Sequence, residues 1–104
     1  MGKHDPDIDI RDLNVYFSDP TYTGSGSNRV GSTVVTLMFE LTDGSTINKE
    51  EPFDNIRVTT SQYFNYTIGI YRVTVRITVT VVGVNNQMHI TGASAEIVSK
   101  DVIH

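Results

Sequence analysis

Between Ile70 and Val82 the chain alternates almost without interruption. Tyr71, Val73, Val75, Ile77, Val79 and Val81 fall on one parity; Arg72, Thr74, Arg76, Thr78 and Thr80 fall on the other. Successive side chains of a β-strand point to opposite faces, so this period of two describes a strand with one face in a core and the other in water. Nearly every residue is β-branched, aromatic or Arg, types that suit a pleated, half-buried surface. A strand of this length exceeds the usual 3–10 residues and would rise about 43 Å at roughly 3.3 Å per residue. Such a strand belongs in the middle of a sheet and must twist or bend.

The remaining sequence supplies its neighbours. Residues 5–17 read as a first strand region, with Ile8 and Ile10 on one parity and Leu13 and Val15 on the other. The phase changes near Arg11-Asp12, which implies a bulge or a change of sheet. Residues 18–32 read as a long loop, turned by Asp19-Pro20 and loosened by Gly24-Ser25-Gly26-Ser27. Residues 33–41 form a second strand with Val35, Leu37, Phe39 and Leu41 inward. Asp43-Gly44 then suggests a type I′ hairpin turn, and Ser45 to Lys49 the return strand. Glu50-Glu51-Pro52 is expected to end that strand, and a further short strand is expected over 55–60 around Ile56 and Val58. From Tyr63 the apolar parity is even, and at Tyr71 it becomes odd. Gly69 stands at the jump, which suggests a corner between two strands.

The final hairpin can be registered from residue types alone. With Asn85-Asn86 as a left-handed turn, Val81 faces Ile90. Continued unchanged, that register would set Ser94 against Ile77 and waste core. One extra residue at Gly92-Ala93 sets Val75 against Ile97, Ile77 against Ala95, and Arg76 against Glu96 on the outer face. The ends, residues 1–6 and 100–104, are expected to fray around a single domain.

Composition narrows the chemistry. The 104 residues suffice for one domain with its own core. The absence of cysteine excludes disulfides, thiolate zinc sites and thiol catalysis. A net charge of −4 argues against nucleic acid as a partner. No apolar run reaches the length of about 18 residues that a membrane helix needs, so no membrane insertion is expected. The polar start, Met1-Gly2-Lys3-His4-Asp5, does not read as a signal peptide.

Gly69-Ile70-Tyr71-Arg72-Val73-Thr74-Val75 resembles the corner and sixth strand of immunoglobulin-like sandwiches, including the PKD and bacterial Ig-like types of bacterial surfaces. The resemblance implies an antiparallel β-sandwich of about seven strands. It also implies that Tyr71 bonds its hydroxyl back to the backbone, as a tyrosine corner does. It covers residues 69–80 only and bears on fold, because this architecture hosts many functions.

Few residues point to chemistry. Asp5, Asp7 and Asp9 share one strand face and could offer oxygen ligands to calcium, although the EF-hand spacing is missing; the plainer reading is a solvated acidic edge. No nucleophile elbow or phosphate loop occurs. Glu50 and Glu51 are adjacent, so they face opposite ways and cannot flank one glycosidic bond. Asn65-Tyr66-Thr67 fits the N-glycosylation pattern, which has meaning only in a eukaryotic secretory setting. Tyr22 and Arg29 in the 18–32 loop are the candidate binding residues, Tyr22 as an aromatic anchor and Arg29 as a polar contact. These readings lead to a non-catalytic interaction or structural module, with no cofactor, of a surface, secreted or phage virion protein. A protein partner is expected. The rival expectations are a carbohydrate-binding domain using loop tyrosines, and a subunit or inhibitor that acts only with a partner.

Overall fold

A computed structural model describes residues 8–103. Seven strands occur among them: β1 (Ile10–Phe17), β2 (Thr21–Thr23), β3 (Val30–Leu41), β4 (Thr46–Ile56), β5 (Thr60–Ile68), β6 (Tyr71–Val84) and β7 (Gln87–Val102). All pairings are antiparallel. In the first sheet β3 is central, with β4 along one side and β1 followed by β2 along the other. The second sheet is the meander β5-β6-β7. The two sheets face one another as an all-β sandwich.

The core lies between the two central strands. Val35, Leu37 and Phe39 of β3 and Val73, Val75, Ile77 and Val79 of β6 are completely buried. These are the inward parities that alternation dictates. Phe53, Ile56 and Ile68 close the core on the β4–β5 side, and Met88 and Ile90 do so from β7. Phe53 meets Phe64 edge-to-face, and Phe39 meets Tyr66 in the same way. Long strands make a long molecule: its extents are 62 × 22 × 15 Å. The radius of gyration is 16.9 Å, against about 13 Å for a compact domain of this length.

The turns follow local chemistry, with corrections. Asn85 and Asn86 take φ of 53° and 64°, the left-handed pair of a type I′ turn. Val81 pairs with Ile90, Ile77 with Ala95 and Arg76 with Glu96. The extra residue is Thr91, however, one position before Gly92-Ala93, because the register changes between Thr80–Gly92 and Val81–Ile90. A second bulge, at Val98, separates Thr74–Ser99 from Val75–Ile97. The phase change in β1 is a bulge at Arg11 within one sheet.

Asp43-Gly44 does not form a type I′ turn. Only Gly44 has positive φ, at 89°. Gly44 N–H donates to the Leu41 carbonyl at 3.0 Å and Leu41 N–H to Ser45 at 2.9 Å, a three-residue loop ended by a left-handed glycine. Pro52 does not end its strand. β4 continues to Ile56 because it is an edge strand with one partner, where proline is tolerated. Consequently no separate strand forms over 55–60: Asn55 and Ile56 end β4, residues 57–59 carry the chain from one sheet to the other, and Thr60 begins β5. Gly69, at φ 61°, and Ile70 form a two-residue hairpin turn between β5 and β6, so the chain reverses within one sheet. Nor does the tail fray at Lys100: β7 runs to Val102, and Ile103 N–H donates to the Ile70 carbonyl at 2.7 Å.

Ile77 and Thr78 test this facing directly. Ile77→Ala should cost about 3 kcal/mol through lost burial and a cavity, whereas Thr78→Ala, on the outer face, should cost well under 1 kcal/mol. Equal losses in a chemical denaturation series would reverse the assignment of faces.

Candidate interaction surface

The segment 18–32 is more ordered than its composition suggests. Thr21–Thr23 pairs with the start of β3, and Gly26–Asn28 makes one 3₁₀ turn. Tyr22 lies opposite Gly31, where an added Cβ would stand 3.0 Å from the Tyr22 ring and from Ile90. Glycine there lets the ring cross towards β7. The Tyr22 hydroxyl accepts the Ile90 N–H at 2.9 Å. The Arg29 guanidinium lies 3.9 Å from the centre of the Tyr22 ring, within cation–π range, and its Nε–H donates to the Met88 carbonyl at 3.0 Å. His89 packs edge-on to the same ring.

Tyr22 and Arg29 are thus brought together, but as a brace. They occupy an N–H and a carbonyl on the open edge of β7. Thr59 does the same on the open side of β6: Val81 N–H donates to its Oγ1 at 3.0 Å, and its hydroxyl donates to the Val81 carbonyl at 3.3 Å. Unpaired strand edges invite pairing with other chains, and side chains that occupy their polar groups discourage it.

Of the three proposed calcium ligands, Asp5 and Asp7 lie outside the described residues. Asp9 is engaged elsewhere. Its carboxylate accepts Lys100 Nζ at 2.8 and 3.0 Å and the Ile10 N–H at 2.6 Å, and the Lys100 bond in particular holds its pKa below the ordinary value. Among the described residues no group of three or more His, Asp or Glu is placed to hold a metal ion. Lys100 Nζ also stands 4.6 Å from the Tyr71 ring centre. No bond from the Tyr71 hydroxyl to a backbone group occurs among the described residues.

Glu50 and Glu51 do face opposite ways. Glu51 turns towards β5 and accepts the Tyr66 hydroxyl at 2.6 Å, a latch across the two sheets. Burial, followed by the Glu51 bond, raises the Tyr66 pKa above its usual value. Beside the β1–β2 step is a shallow groove of about 260 Å³, lined by Ser18, Asp19, Thr21, Ser32, Thr33, Val34 and Asp54. Three of its hydroxyls are engaged: Thr33 Oγ1 donates to the Ser18 carbonyl at 2.7 Å, Val34 N–H to Ser18 Oγ at 2.9 Å, and Asn55 N–H to Ser32 Oγ at 3.0 Å.

Two exposed surfaces stand out. The outer face of β5-β6-β7 is rich in hydroxyls, with Ser61 bonded to Thr78, Thr74 to Asn65, and Arg76 paired with Glu96. Tyr63 rises from it, 63% exposed and opposite Arg76. The second is the end of the β6–β7 hairpin. β5 begins at Thr60, opposite Val79, so residues 80–84 extend past it. There Val82 is 45% and Val84 49% exposed, and Val58, next to the capping Thr59, is 67% exposed. Sequence reasoning missed this cluster, although a signal exists: in Val81-Val82-Gly83-Val84 the alternation lapses, so valines fall on the outward parity as well.

Two outcomes follow. Replacing residues 22–29 with a Gly-Ser link should lower the melting temperature, contrary to what a free connector would give, and Tyr22→Phe alone should cost about 1–2 kcal/mol by leaving the Ile90 N–H unpaired. An unchanged melting temperature in both would show that the brace contributes nothing. For Tyr66, the folded-state pKa lies above the unfolded value near 10. Its contribution should therefore be complete below pH 10 and decline as pH rises beyond it. Tyr66→Phe should cost about 1 kcal/mol at neutral pH and flatten the alkaline decline in denaturant midpoint; an identical alkaline decline in the variant would rule out the latch.

Comparison with known proteins finds no matching family model, no matching curated protein and no matching solved structure.

Proposed function

We propose that the protein is a non-catalytic interaction or structural module, of the kind used in surface, secreted or virion assemblies, and that it meets its partner through the hairpin end. The observation that carries this reading is the exposure of Val58, Val82 and Val84 at the hairpin end of an elongated sandwich, where Thr59 ties the 57–59 connection to Val81. Aliphatic side chains left in water and grouped together mark interaction sites more often than isolated ones do. The immunoglobulin-like resemblance supports this reading through its sandwich architecture alone, since Gly69 turns a hairpin within one sheet.

A glycan is the second reading, favoured by Tyr63. Its exposed ring stands among hydroxyl and amide groups able to meet sugar hydroxyls. Tyr22 suits that role less well, with Arg29 over its ring and its hydroxyl engaged.

A photoreactive residue placed at position 84 should capture a protein in the native host, while one at position 78 on the polar face should capture far less. Equal capture from both, or none from 84, would defeat the hairpin-end reading. A glycan array signal lost in Tyr63→Ala would establish the second reading.

A further inference from the structure

Among the described residues, the outer edge of β5 is the one sheet edge left plain. β5 pairs with β6 alone. Its nine residues, Thr60–Ile68, keep one register without a bulge, contain no proline and carry no formal charge. The other edges are treated differently. β4 has Pro52 among Lys49, Glu50, Glu51 and Asp54. β1 is bulged at Arg11, β2 is three residues long, and the bulged β7 is bonded by Tyr22 and Arg29. An uncharged, regular edge is what an incoming strand needs, and proteins that avoid pairing remove it.

The turn fixes which groups face outward. In a two-residue hairpin the residues flanking the turn exchange both backbone hydrogen bonds. Ile68 and Tyr71 flank Gly69-Ile70, so Thr60, Gln62, Phe64, Tyr66 and Ile68 direct their N–H and C=O groups to β6. Ser61, Tyr63, Asn65 and Thr67 direct theirs to the open edge. Val81 agrees with this parity: on the same parity of β6 as Tyr71, it turns its N–H and C=O to the β5 side, where Thr59 takes them up. Among the described residues no other strand and no side chain occupies the outward groups of β5. Lys49 and Glu51 approach from β4, but Lys49 Nζ lies 6.0 Å from the Tyr66 ring centre and Glu51 accepts the Tyr66 hydroxyl.

We propose that this edge pairs with the same edge of a second copy, antiparallel across a two-fold axis at Phe64, so that the two β5-β6-β7 meanders form one continuous sheet. Ser61 then faces Thr67 of the second copy and Tyr63 faces its Asn65, which bonds every outward group. Two features select a copy of this chain over a foreign strand. A two-fold pairing sets any charge on the strand near the same charge, which is destabilising, and β5 carries none; a foreign strand imposes no such restriction. The register that satisfies all the outward groups is also the one that sets Phe64, half-buried and stacked on Tyr66 in one copy, against its twin. The contact is isologous and closes at two copies. One pair of strands is a small interface, so the dimer is weak and concentration-dependent. This surface is separate from the hairpin end, where residues 80–84 extend past β5, and does not rest on that reading.

Sedimentation velocity from micromolar to millimolar protein tests the pairing. The wild type should pass from monomer to dimer and stop there. Tyr63→Lys and Asn65→Glu should each stay monomeric, because each sets like charges beside the axis. Mixed together they should form a dimer, because the two substituted positions then face each other with opposite charge. Val84→Asp, at the hairpin end, should dimerise as the wild type does. Asn65→Pro replaces a charged variant that fails to fold: it removes an outward N–H and no bond to β6, and it should stay monomeric. A monomeric wild type, growth beyond a dimer, undiminished dimers in the charged variants, or a mixture that forms none would each overturn the proposal. A monomeric Val84→Asp would overturn it as well and move the contact to the hairpin end. A monomeric wild type whose photoreactive position 63 captures a different protein would overturn the second copy as occupant of the edge.

Discussion

The fold depends on the packing of β3 against β6. Seven side chains from these two strands are withdrawn completely from water, each contributing about 1.5–3 kcal/mol relative to exposure. Each strand is central in its own sheet, so its backbone is bonded on both sides for much of its length and its inner parity is free to fill the space between sheets. The other strands are positioned by these two. Their contacts with the opposite sheet are fewer and more specialised: the Tyr66–Glu51 latch and the Phe53–Phe64 pair on the β4–β5 side, and the Asp9–Lys100 pair where β1 meets β7.

A sandwich with open sheets has four edges, and each is a liability. This protein treats them locally. Pro52 and the charged residues around it lie on the β4 edge. Tyr22, Arg29 and Thr59 bond directly to edge groups of β7 and β6. The brace has a structural purpose, because an isolated two-stranded hairpin is marginal in water and β6–β7 extends past β5. Holding its base from both sides lets the hairpin present valines outward without support from a third strand, which is the property an interaction surface requires.

Much of this was legible in the chain. Period-two alternation identifies both central strands and their inward faces, and the Asn85-Asn86 turn with the size mismatch at Ser94 yields the hairpin register to within one residue. Those signals are local: they depend on neighbours one or two positions away, or on a cross-strand partner set by the turn. The errors have a different origin. Proline disfavours a strand by its missing N–H, but an edge strand has a side where no donor is needed, and nothing within Glu50-Glu51-Pro52 says that β4 is an edge. Asp43-Gly44 suits two kinds of hairpin loop, and the choice followed from the pairing of Glu40 with Thr46.

The candidate binding residues show the same division. Composition marks Tyr22 and Arg29 as mobile loop residues because Gly-Ser tracts flank them. Their contacts are instead with Ile90 and Met88, 68 and 59 residues further along. By itself the sequence determined the all-β class, the central strands, the buried parities and the β6–β7 turn, because each is encoded by alternation and backbone preference over a few residues. Only the tertiary structure decided which strands are edges, what occupies them, and which valines remain in water, because these depend on where β5 stops beside β6 and on contacts between segments far apart in the chain.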